Sequence, residues 1–112
     1  MEVATRLDGR VLVIELEGEI MGGAETQKLR NVVDGAIKAE NTNVVVDMSK
    51  VKWMNSSGLG LLISALTSLR SSGGDLKLAC ITERLKRPIQ VTKLDSVFQD
   101  FVTVQEAVKS YN

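Results

Sequence analysis

From Val11 to Glu17, Leu12, Ile14 and Leu16 fall on one face, the period of a half-buried strand. Asp8-Gly9 just before it is a hairpin turn signal, which predicts a first strand around Glu2–Leu7. Gly18 is expected to end the second strand. The period then changes. Leu29, Val32, Val33, Ala36 and Ile37 recur at helical spacing and predict an amphipathic helix over about Ala24–Glu40.

Val44-Val45-Val46, bounded by Asn43 and Asp47, is a continuous β-branched run, as in a central strand covered on both faces. A second helical stripe follows at Leu59, Leu62, Ile63, Leu66 and Leu69, and Gly73-Gly74 closes it. Leu76 to Ile81 reads as a further buried strand. Thr82–Thr92 has a helical pattern interrupted by Pro88, so a kink or a late helix start is expected. Val97-Phe98 is a candidate last strand. Thr103-Val-Gln-Glu106 is a capping box that opens a terminal helix running to about Ser110.

The order ββαβαβαβα predicts a single α/β domain over residues 1–112. Its sheet should be mixed and mostly parallel, of about five strands with about four helices, and most helices on one face. The 112 residues are 44% hydrophobic and 25% charged, ordinary values for a globular domain.

Fourteen basic and fourteen acidic residues cancel. The nearest approach to a basic cluster is Arg84, Lys86 and Arg87, so no nucleic-acid partner is expected. No apolar stretch nears the roughly 20 residues of a membrane span, and no signal peptide is visible, so a cytoplasmic protein is expected. Cys80, the only cysteine, reads as an inert core thiol. The chain has no histidine, which excludes Ser-His-Asp and Cys-His catalysis and imidazole metal sites. Neither catalysis nor a cofactor is expected.

In open α/β sheets, sites lie beyond the carboxyl ends of strands, at helix N-termini. Asp47, Asn55, Ser56 and Ser57 are expected there, between the Val44–Val46 strand and the Leu59 helix. A serine hydroxyl in this place can cap the helix by accepting a backbone N–H. It can equally carry a phosphate, whose charge of about −2 a helix N-terminus tolerates. Gly58 and Gly60 suggest close backbone approach, by a partner or by a neighbouring strand. Trp53 is expected to be half core, and Met54 is either an exposed docking residue or buried. A phosphate cradle at Asn55–Gly60 would lack the lysine of a P-loop.

Asp47-Met-Ser-Lys-Val-Lys-Trp-Met-Asn-Ser-Ser-Gly-Leu-Gly-Leu-Leu62 resembles the signature of STAS domains of bacterial anti-sigma factor antagonists. Gly18-Glu19-Ile20, Gly73 to Leu78, Leu94 to Phe98 and Val104 to Val108 are similar to further elements of that family, in order along nearly the whole chain. The resemblance implies a non-enzymatic partner switch, acting as monomer or weak dimer. The unphosphorylated form would bind an anti-sigma factor that is also a serine kinase, releasing the sigma factor. Phosphorylation of Ser56, rather than Ser57, would end that binding, and a serine phosphatase would reverse it. Asp47, Met54, Asn55, Ser56, Ser57, Gly58 and Leu59 would form the partner contact. Asn55 and Met21 stand where the family has aspartate, and Pro88 replaces an apolar helical residue. The alternative is a STAS scaffold or non-sigma switching subunit with little or no phosphorylation.

Overall fold

The computed structural model describes every residue except Thr92, Leu94 and Asp95, together with the side chain of Glu25. Among the described residues, five strands form one sheet in the order β1-β2-β3-β4-β5, and four α-helices cover it. The strands are β1 (Glu2–Asp8), β2 (Val11–Ile20), β3 (Asn43–Met54), β4 (Asp75–Ala79) and β5 (Asp100–Phe101). The helices are α1 (Thr26–Lys38), α2 (Ser56–Ser71), α3 (Glu83–Val91) and α4 (Val104–Lys109), with a 3-10 turn at Gly23–Glu25 before α1. The first hairpin is antiparallel and every later neighbour is parallel, as the β-α alternation requires.

Alternation along the strands divides the interior in two. Leu12, Ile14, Leu16, Val44, Val46, Leu76 and Leu78 pack with buried residues of α1, α2 and α3 into the larger core. Val11, Val13, Val45 and Ala79 face the other way, where Ala107 and Val108 of α4 cover them. The valine run is therefore covered on both sides.

Local chemistry sets the ends of the helices. The Gly74 N–H donates to the Leu69 carbonyl at 2.9 Å and Gly73 has φ of 87°, so α2 stops at the glycine pair. The Thr103 hydroxyl accepts the Glu106 N–H at 3.1 Å and opens α4. This is one half of the expected capping box. The Glu106 carboxylate makes no bond back to Thr103 among the described residues.

Several boundaries differ from expectation. Gly18 does not end β2: its φ of 95° absorbs a register shift against β3, and the strand continues to Ile20. Strand β4 ends at Ala79, and Cys80 lies just beyond it, partly exposed with φ of 60°. Burial, followed by the Asp47 carboxylate, pushes its thiol pKa up and disfavours the reactive thiolate. Helix α3 runs through Pro88 from Glu83 without a late start, while the expected end at Thr92 lies outside the described residues. The last strand is Asp100–Phe101. Phe98 is instead core, because its ring is buried against the larger cluster.

Lys77 is the one buried charged residue among those described, at 7% exposure. Its Nζ donates to the Ser110 hydroxyl at 2.7 Å and stands 4.0 Å from the centroid of the Tyr111 ring. The last turn of α4 adds its negative end, so the ammonium has a hydrogen bond, a π face and a dipole in place of water. The Tyr111 hydroxyl in turn donates to the Val44 carbonyl at 2.7 Å. Burial raises the Tyr111 pKa well above the ordinary value of about 10. Folded protein therefore keeps this proton where the unfolded chain has lost it, and stability falls as pH rises above about 10. Alkaline titration of unfolding should show this loss, and Tyr111→Phe should remove Tyr111's part of it. The same variant should cost about 1 kcal/mol at neutral pH, through the lost bond to Val44.

Candidate phosphorylation and partner-binding site

The site lies where β2 and β3 end together and α2 begins. Ile20 is in register with Met54, and the Asn55 N–H donates to the Ile20 carbonyl at 3.3 Å. Asn55 then turns its side chain onto the new helix, its Oδ1 accepting the Gly58 N–H at 2.9 Å. Its own carbonyl takes the Leu59 N–H at 3.0 Å. Asparagine is a strong N-cap because its short side chain reaches the free donors of the first turn. Neither serine is the cap. That position belongs to Asn55, which leaves Ser56 and Ser57 as the first two helical residues.

Both serines are exposed. Among the described residues no side chain or backbone group bonds the Ser56 hydroxyl, and nothing accepts from the Ser56 and Ser57 N–H groups. The two hydroxyls differ in their surroundings. A Cβ placed on Gly22 would lie 2.7 Å from the Ser57 Cβ, so the loop after β2 presses against Ser57. Gly22 has φ of 82°, a conformation that suits glycine alone, and it holds this approach. No glycine is set against Ser56 in this way. Met21 before that loop and Trp53 at the end of β3 are 44% and 46% exposed, so two large apolar side chains lie at this end of the sheet.

The approach to Gly58 is made by a strand of the same domain. A Cβ there would fall on the Ile20 carbonyl oxygen of β2, whereas Gly60 has open space around it. Met54 and Leu59 are buried at 0% and 3%, and Gly58 is buried with them. These three face the sheet rather than solvent. Trp53 is half exposed, as expected. Asp47 also lies elsewhere. It is mid-strand in β3, opposite Glu15 and Ala79, and its Oδ1 accepts the Ser49 N–H at 2.9 Å. The β2 residues between Glu15 and Ile20 place it on the order of 16 Å from the Met54 end. Asn55, Ser56 and Ser57 alone of the expected residues come together at the surface, and Met21 and Trp53 join them from the neighbouring chain segments.

The described residues contain no group of three or more side chains able to hold a metal ion. None of their helices is long and apolar enough to cross a membrane. Grooves of about 260 and 350 Å³ occur between α1 and α2 and beside α3, and neither is lined by Asn55, Ser56 or Ser57. A smaller depression beside the site is lined by Met21 and Gly22.

A family model of the STAS domain matches residues 2–107. The chain belongs to the STAS domain family. A protein of Thermotoga maritima described as a candidate anti-sigma factor antagonist is 28% identical over 78 residues, covering 70% of this STAS chain and 69% of that protein. The crystal structure of a candidate antagonist from the same organism matches with a TM-score of 0.85 at 24% identity, over 96% and 92% of the two chains. The Bacillus cell fate determinant SpoIIAA in its phosphorylated form matches with a TM-score of 0.76 at 22% identity, over 99% and 100%. These likenesses establish the STAS fold of one α/β domain with five strands and four helices.

Proposed function

We propose that this STAS domain is an anti-sigma factor antagonist, a cytoplasmic partner switch controlled by phosphorylation of Ser56. The observation that carries this reading is the unbonded, exposed hydroxyl of Ser56, freed because Asn55 caps α2 in its place. A kinase can reach that oxygen without breaking a native bond. The phosphate then stands at a helix N-terminus with two uncommitted N–H groups beside it, so the fold survives the modification.

The unphosphorylated turn, flanked by Met21 and Trp53, binds the anti-sigma factor. A dianion at its centre is desolvated unfavourably in that contact and releases it. The chain is ligand and substrate; ATP and its Mg²⁺ belong to the kinase, and a separate serine phosphatase resets the switch. Neutral Asn55 does not prevent this, because its role at the turn is the cap.

Incubating the chain with the serine kinase anti-sigma factor of its own cell and ATP tests the reading. One phosphate should enter wild type and Ser57→Ala, and none should enter Ser56→Ala. Phosphate on Ser57 alone, or on neither serine with a kinase active on another antagonist, would move the reading to an unphosphorylated STAS scaffold.

A further inference from the structure

Strand β1 is bare to an unusual degree for a seven-residue strand. It lies at the edge of the sheet, and all of it except the partly buried Val3 is exposed, including Leu7 at 59%. The opposite edge, β5, is two residues long and offers little to pair with. Along β1 there is no proline, and its register with β2 runs unbroken from Glu2–Glu17 to Asp8–Val11. Two of the devices that protect a long edge strand, a bulge and a proline, are missing from it, and its charged residues are Glu2, Arg6 and Asp8.

The hairpin determines which backbone groups face outward. Only Gly9 and Arg10 separate the paired residues Asp8 and Val11, so that pair is the hydrogen-bonded one at the turn. Alternation then directs the N–H and C=O of Asp8, Arg6, Ala4 and Glu2 to β2. Those of Leu7, Thr5 and Val3 face away from the sheet.

We propose that β1 pairs antiparallel with β1 of a second copy of this chain, joining two sheets across a two-fold axis at Ala4. Axes at Ala4, Thr5 or Arg6 keep five or more β1 residues of each copy paired, and charge selects among these three. An axis at Thr5 sets Glu2 against Asp8 of the other copy twice, and an axis at Arg6 sets the two arginines together. Of these three, only the axis at Ala4 brings opposite charges together, Glu2 against Arg6 of the second copy, twice by symmetry. In that register Val3 and Thr5 exchange the backbone hydrogen bonds. Leu7 meets Met1 of the other copy. The exposed Lys28, whose Nζ donates to the Met1 carbonyl at 3.3 Å, has to turn aside. Arg6 exchanges its loose 3.8 Å pairing with Asp8 for a cross-strand partner.

Sedimentation equilibrium of the full chain from micromolar to millimolar concentration tests this. Wild type should show a concentration-dependent dimer. Glu2→Arg and Arg6→Glu should each weaken it about tenfold, by replacing two attractive pairs with two repulsive ones. The two changes in one chain should restore it. Thr5→Pro removes an N–H that β2 does not use, and should abolish the dimer while the circular dichroism of the fold is kept. A monomer throughout the range would overturn the proposal, as would a dimer indifferent to both charge reversals and to the proline.

Discussion

Ser56→Glu is expected to lower the affinity for the anti-sigma partner by about a hundredfold while leaving the thermal midpoint within a few degrees of wild type. The two halves of this expectation have different origins. Within the domain, a carboxylate at the first helical position meets the free N–H groups of Ser56 and Ser57 and the positive end of α2. That placement contributes a few tenths to about 1 kcal/mol in favour of the fold. In the proposed complex, the same charge is buried against a surface that accepts a neutral hydroxyl. Desolvation and like-charge contact there cost about 3 kcal/mol, which is roughly a hundredfold in the dissociation constant. Ser56→Ala should bind like wild type, because no native hydrogen bond depends on that hydroxyl. Titration calorimetry with the purified partner reads the affinities, and scanning calorimetry reads the stability. Equal affinity for wild type and Ser56→Glu would remove Ser56 from the interface, and with it the proposed switch.

Gly58→Ala should have the largest effect on stability. An added methyl at this position would overlap the Ile20 carbonyl oxygen and stand 2.9 Å from its carbon. These are backbone atoms of β2 and cannot turn aside as a side chain would. The first turn of α2 has to lift, breaking the 3.3 Å bond from the Asn55 N–H to Ile20 and loosening the buried Met54 and Leu59 beneath it. Overpacking of this kind costs about 3 kcal/mol, which in a domain of this length lowers the midpoint by about 12–20 °C. Gly60→Ala is the control. The space around it is open, and alanine is the better helix former, so that variant should be neutral or stabilised by up to about 1 kcal/mol. Urea unfolding of the two variants should therefore shift in opposite directions. If both destabilised alike, the cost would lie in the helix itself rather than in its approach to β2.

The sequence by itself determined the order of elements, that most helices share one face of the sheet, and the resemblance to the family. The elements and their layering rest on local periodicity, and the family on the contiguous signature from Asp47 to Leu62. Leu12, Ile14 and Leu16 report a strand by alternation, the stripe from Leu59 to Leu69 reports a helix, and the Asn55-Ser56-Ser57-Gly58 turn is contiguous in the chain. What escaped was settled by neighbours distant in sequence. Strand β3 continues to Met54, although Met48, Val51 and Met54 recur every third residue and so match neither a strand nor a helix. Two register shifts against β2 add residues to β3 and return all three to the core face. A bulge is a property of a strand pair, so one strand's pattern does not reveal it. For the same reason Asp47 is far from the turn it precedes in the chain, and Gly58 answers to Ile20 rather than to a partner.

The choice of cap was also tertiary. Asn55, Ser56 and Ser57 can each cap a helix, and their intrinsic preferences are nearly equal. The pairing of Asn55 with the end of β2 decided it, because that contact holds Asn55 in extended backbone, φ −99° and ψ −175°, while Ser56 is already helical. The pairing of two strands thus left the Ser56 hydroxyl free, and the proposed switch depends on that freedom.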